Sequence, residues 1–229
     1  MHVLYRDARV VAVSKPAGYV VHKSSMTRER VVMLQAVRDA LGQHVWPVHR
    51  LDRGTSGVLL FALDADAARH IHGSFERGLV KKTYRALVRG NFGAIAGTDA
   101  VRVDYAIPKD EDGPKVSAQT TFFLEEAFAW CSLIRALPQT GRFHQIRRHL
   151  SHLRYPIAND TNYGTGWFNR KVREDLGLLR MALHAEAITL PHPDAADADT
   201  ADADTARMLH VTDDMHPDFS EALRRLRTT

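Results

Sequence analysis

His49, Arg50, Asp52 and Arg53 fall within five residues of the stretch HRLDRGTSG, which runs from His49 to Gly57. Guanidinium groups nearby favour the ionised form of a carboxylate such as Asp52. An ionised, partly desolvated carboxylate can act as nucleophile or base without a cofactor. The same residues could make an ordinary structural Asp–Arg pair, and their spacing leaves both accounts open. A second concentration of polar groups runs from Ala127 to Asn159, a span with no acid. It holds Arg135, Arg142, Arg147, Arg148 and Arg154, with His144, His149 and His152. A stripe of one sign suits a polyanion such as nucleic acid, or a solvated helix face whose acids lie elsewhere.

Other chemistries lack their motifs. Gly54-Thr55-Ser56-Gly57 has the wrong spacing for GxSxG, and neither a P-loop nor GxGxxG occurs. Thirteen histidines are present without HExxH or a Cys/His cluster, so no metal is expected. A glycosidase would need a second carboxylate at a set distance from Asp52, whose near neighbours are arginines.

The elements that must position these residues show in the apolar spacing. Val3–Tyr5 and Val10–Val13 read as short strands, with the turn KPAG (Lys15–Gly18) after them. Val31–Leu41 carries a helical stripe, and Ser56–Leu63 a buried strand. Asp64 suits the N-cap of a helix presenting Ala67, Ile71 and Phe75 and ending at Gly78. Lys81–Gly90 alternates as a strand, and Val116–Leu124, Trp130–Leu137 and Met181–Leu190 are strand-like. Residues 141–153 form a helix with Phe143, Ile146, Leu150 and Leu153 on one side. Arg147 then sits at the edge of the buried face, able to reach inward, while Arg148 suits a surface phosphate. A last helix, 217–227, starts at Pro217. This order predicts an α+β fold with a mixed, mostly antiparallel sheet flanked by helices and loops.

Bulk properties set the class. The chain has 229 residues, 45% hydrophobic and 25% charged, as globular proteins do. One cysteine, Cys131, excludes an intramolecular disulfide and fits a reducing compartment. No signal-peptide core is present, and the run Val58–Leu63 is too short to span a bilayer. A cytoplasmic monomer of one domain, 1–229, without a membrane partner, is expected. Residues 194–229 hold nine acids and four arginines, so the +4 chain carries +9 over 1–193. The sequence DADTA repeats at 197–201 and 202–206, giving an exposed loop over 194–206 with no large apolar residue.

Six motifs in order resemble the RluA-type pseudouridine synthases. They are KPAGYVVH (Lys15–His22), HRLDRGTSG, KKTYRALVRG (Lys81–Gly90), PQTGRFHQIRRHL (Pro138–Leu150), YPIANDTNYG (Tyr155–Gly164) and MALHA (Met181–Ala185). Ala158 stands where that family usually has glycine. The resemblance covers residues 1–193 and implies the pseudouridine synthase catalytic fold, beginning without the S4 RNA-binding domain that many relatives carry. It implies RNA as partner and no cofactor. It assigns the essential carboxylate to Asp52, its ion-pair partner to Arg147, and a base-stacking aromatic to Tyr84. Arg50 would fill the space left by an extruded base. Arg53, Arg142, His144, Arg148, Lys15 and Lys82 would contact RNA, while Leu51 and Ile146 would line the pocket. Residues 31–60 and 169–185 further resemble the branch that modifies uridine 65 in the TψC stem of tRNA. A ribosomal RNA substrate and a non-catalytic RNA-binding role are the alternatives. The Ala/Asp repeat departs from the family pattern.

Overall fold

The computed structural model describes residues 2–22, 32–96, 100–109, 113–195 and 207–228. In chain order the elements are β1 (His2–Arg6), β2 (Val10–Lys15), α1 (Met33–Leu41), β3 (Trp46–Pro47), β4 (Ser56–Ala62), α2 (Ala65–Glu76), β5 (Lys81–Arg89) and α3 (Gly93–Ala96). They continue with β6 (Val101–Val103), β7 (Ile107–Pro108), β8 (Lys115–Val116), β9 (Thr120–Ala127), β10 (Cys131–Pro138), α4 (Gln145–His152), α5 (Gly166–Leu176), β11 (Leu183–Pro191), β12 (Met208–Thr212) and α6 (Pro217–Arg227). Two compact units result: Met1–Lys81 with Glu186–Asp214, and Lys82–Ala185 with Met215–Thr229.

The first unit orders its strands β1-β2-β4-β11, with β12 beside β11 and β3 on β4. All seven residues of β4 are buried. Val58, Leu60 and Ala62 join Val10, Ala12, Ile188 and Leu190 in one apolar cluster, closed by Ala67, Ala68 and Ile71 of α2. A fully buried side chain of this kind contributes about 1.5–3 kcal/mol. Asp64 caps α2 by accepting the Ala67 N–H at 2.8 Å.

The second unit orders its strands β5-β10-β9-β6. Ala136 of β10 stands opposite Tyr84 on one side and Phe122 on the other. Its core gathers Ile146 and Leu150 from α4, Phe168, Val172 and Leu176 from α5, and Phe219, Leu223 and Leu226 from α6. The strand registers defined in both units are antiparallel, and a parallel bridge joins Val20 to Val32. The α+β class with a mostly antiparallel sheet is therefore as expected.

Local boundaries differ from the sequence reading. The single strand expected over Val116–Leu124 is two, because β8 pairs with β7 and β9 starts only at Thr120. The helix expected from Gly141 starts at Gln145, since His144 takes a left-handed conformation, φ 53°. Helix α5 was not expected, whereas the repeat segment reads as lying between two strands and β12 follows it in sequence. Residues 196–206 of the repeat loop, and Val31 at the expected start of the first helix, lie outside the described residues. Among the described residues no helix is long and apolar enough to cross a membrane.

Candidate active site

In the first unit, Asp52 sits in the turn that leads into β4. Leu51 anchors it from the buried side, and Asp52 itself is half-buried between the exposed Arg50 and Arg53. The turn closes where the Thr55 N–H donates to the Asp52 carbonyl at 3.0 Å. His49 ties it to the sheet, its Nε2 accepting the Leu60 N–H at 2.9 Å. With Thr55 and Ser56 buried, these residues build the presentation of Asp52, as their types suggest.

Lys15 braces the same turn from within. Its side chain is fully buried, and Nζ donates to the carbonyls of Tyr19 at 2.7 Å, Pro16 at 3.0 Å and Arg53 at 3.3 Å. Gly18 adds an N–H to the Arg53 carbonyl at 2.7 Å and accepts from Arg53 Nε at 3.3 Å. Gly18 does so at φ +93°, which favours glycine. The expectation that Lys15 contacts RNA is corrected: its ammonium is spent inside the unit, stitching the KPAG turn to the Asp52 turn.

In the second unit, the two-residue period of β5 puts Lys82 and Tyr84 on one face. Tyr84 is half-buried against the core. Lys82 Nζ donates to the Thr140 carbonyl at 2.9 Å. Thr140 donates its hydroxyl to Gln145 Oε1 at 2.6 Å, and the Arg142 N–H reaches the same oxygen at 3.0 Å. Gln145 Nε2 donates to the Gln119 carbonyl at 2.8 Å and to Thr120 Oγ1 at 3.0 Å. This buried amide thus fastens Lys82, Arg142 and the start of α4 into one cluster. Burial, and then the charge of Arg142, push the Lys82 ammonium down to about 8.

Helix α4 carries the remaining cations. Arg147 is buried and forms a two-pronged pair with Asp160, Nε to Oδ2 at 2.7 Å and Nη2 to Oδ1 at 2.9 Å. Oδ1 also accepts the Asn162 and Tyr163 N–H groups at 2.9 and 3.1 Å. Burial works to raise the Asp160 carboxyl, but Arg147 and these amides hold it below the usual carboxylate range. The Tyr163 ring lies under both Arg147 and Arg148, 5.1 and 5.4 Å from its centre. His144 meets the Tyr163 hydroxyl at 3.2 Å and stacks on Phe143 at 3.8 Å.

Ile146 belongs to the core cluster of this unit. His149 is buried, with Thr120 Oγ1 and the Tyr105 carbonyl each 2.9 Å from its ring nitrogens, and burial lowers its pKa. Among the described residues, no three His, Cys, Asp or Glu side chains are placed to hold a metal.

The structure therefore assembles Lys15, Asp52 and Arg53 about two linked turns, and Lys82, Arg142, His144, Arg147 and Arg148 about the start of α4. Sequence reasoning missed Gln145, Asp160 and Tyr163. Gln145 had a signal, a polar residue beside Ile146 on the buried side of the helix. Asp160 and Tyr163 stand in the YPIANDTNYG motif, but neither residue type nor period ties Asp160 to Arg147, 13 positions away.

Residues 9–152 match the family model described as RNA pseudouridylate synthase. The chain is 41% identical to tRNA pseudouridine synthase C of Yersinia pestis, over 89% of this chain and 86% of that one. It is 40% identical to the protein of the same name in Pasteurella multocida, over 84% and 86%. The solved structure of human RNA pseudouridylate synthase domain containing 4 superposes with a TM-score of 0.76. That match covers 99% of this chain and 93% of the other at 24% identity, a likeness of fold. On these similarities the chain belongs to the RNA pseudouridylate synthase family, in its RluA-type branch, and is an RNA pseudouridine synthase.

Proposed function

We propose that the chain isomerises uridine 65 in the TψC stem of tRNA, with Asp52 as its catalytic carboxylate. The observation that carries the tRNA reading is the similarity of 40–41% to relatives named for tRNA, over at least 84% of both chains' lengths. The resemblance of residues 31–60 and 169–185 supports the position.

The reaction breaks the N1–C1′ bond, turns the base and joins C5 to C1′. C5 gives up its proton and N1 takes one, so atoms and electrons balance without metal or redox cofactor. Asp52 initiates bond cleavage, Arg147 serves as its ion-pair partner, and Tyr84 stacks on the base. The target base must leave the helix, at a cost of a few kcal/mol. Arg50 fills the gap it leaves, and Arg53, Lys82, Arg142, His144 and Arg148 offset the cost through phosphate contacts. Leu51 and Ile146 shape the pocket wall.

Transfer RNA tritiated at uridine C5 tests this directly. Wild-type protein releases tritium to water, with or without excess chelator, and Asp52→Ala releases none. Equal release by Asp52→Ala would overturn the mechanism. After carbodiimide treatment, a primer-extension stop away from position 65, or preference for a ribosomal transcript, would overturn the substrate.

A further inference from the structure

We infer that Asp160 is a positioning residue, which fixes the Arg147 guanidinium so that one edge of it is aimed in advance at the anion it serves. The inference rests on the proposed role of Arg147 as partner of the catalytic carboxylate.

The geometry separates the two edges of the guanidinium. Asp160 takes the Nε and Nη2 side, at 2.7 and 2.9 Å. Arg147 therefore meets any other acceptor through its Nη1 side, in a plane that Asp160 sets. The Tyr163 ring, 5.1 Å from the guanidinium carbon, lies against the guanidinium. A long arginine side chain otherwise carries about 2 kcal/mol of rotamer entropy. Removing that freedom before substrate arrives is what a charge partner in a reaction needs.

Asp160 is itself held rigidly. Its carbonyl accepts from the Gly164 N–H and from Asn169 Nδ2, both at 3.1 Å. Asn169 Oδ1 accepts the Asn159 N–H at 2.8 Å. Asn159, at φ 58°, donates Nδ2 to the carbonyls of Leu178 at 2.7 Å and Arg180 at 3.1 Å, and accepts Arg173 Nε at 3.0 Å. A Cβ on Gly164 would lie 2.2 Å from the Asp160 carbonyl oxygen, so the loop folds as tightly as glycine permits. Helix α5 thus anchors the loop that carries the carboxylate. A buried ion pair is a costly way to gain stability, and well-packed apolar residues do as well or better. Orientation accounts for the expense.

The test compares wild type, Asp160→Asn and Arg147→Ala by tritium release, each checked for folding by circular dichroism and thermal melting. Asp160→Asn keeps the shape and removes the charge. Its kcat falls by about 10- to 100-fold, while KM for tRNA stays within about twofold. In an Arg147→Lys background, the same change costs less than about threefold, because it acts through Arg147. Wild-type kcat in folded Asp160→Asn, beside an inactive Arg147→Ala, would overturn the inference and leave the reading of Arg147 intact. Wild-type kcat in Arg147→Ala would overturn that reading and the inference with it. Should Asp160→Asn fail to fold, Asp160→Glu keeps the charge but displaces the guanidinium. A folded Asp160→Glu at wild-type kcat overturns the inference, and a lowered kcat at unchanged KM supports it.

Discussion

Lys82 and Thr140 are joined ammonium to carbonyl across 2.9 Å, and the threonine hydroxyl passes the link on to Gln145 at 2.6 Å. This chain fixes a lysine whose pKa burial and Arg142 have brought down to about 8.

Lys82 is therefore charged at neutral pH and loses its proton as pH rises through about 8. If it holds an RNA phosphate, tRNA affinity weakens across that interval in wild type, and Lys82→Arg removes the weakening. Filter binding at stepped pH measures this. Lys82→Met makes log affinity against log salt shallower by about 1. A pH profile shared by wild type and Lys82→Arg would count against the contact.

Lys15 gives the opposite signature. Its ammonium meets three carbonyls inside its unit. Lys15→Met strands those acceptors and destabilises the protein by about 2–3 kcal/mol in urea. The salt slope of tRNA binding stays as in wild type. Unchanged stability with a shallower slope would return Lys15 to the surface.

Asp7 and His192 form a third case. His192 is buried, and its Nε2 lies 2.6 Å from Asp7 Oδ2. Nδ1 accepts the Asp194 N–H at 3.1 Å, so the ring proton belongs on Nε2, toward Asp7. Burial pulls the Asp7 carboxyl upward, but bonds from Tyr5, His192 and the Arg9 and Val10 amides hold it at about 2. The unfolded chain binds that proton first, near the ordinary aspartate value of 3.8. The stabilisation is present above that value and is lost as pH falls toward 2. Asp7→Asn costs about 2 kcal/mol at neutral pH and flattens the acid limb of a stability-against-pH curve. An acid limb as steep as wild type would refute the assignment.

Much of the scaffold was legible because apolar period and capping act locally. Asp64 caps α2 where the sequence places it, and β4 is buried throughout. Helix α5 was legible too, since Phe168, Val172 and Leu176 recur every four residues before Gly177 in its left-handed cap, but the stripe went unread. The gap before β9 was not legible. The Gln119 carbonyl accepts both the Gln139 N–H and the side chain of Gln145, which come from distant sequence. The same holds for the site. Charge pattern singled out Asp52 and the cations of α4 as candidates, and the family motifs implied the roles proposed for them. Lys15 and Asp160 take their parts from contacts made only after folding, which neither residue type nor spacing encodes.

Strand β11 has a consequence for how the molecule is made. The backbone leaves the second unit within it, at Ala185–Glu186, and returns after Asp214. A nascent chain that has emerged only to residue 193 lacks β12, which pairs with β11, and α6, which supplies Phe219, Leu223 and Leu226 to the other core. Neither unit can be completed early on the ribosome. Both wait until translation has passed Leu226, and a message truncated before β12 yields two unfinished halves rather than one finished one.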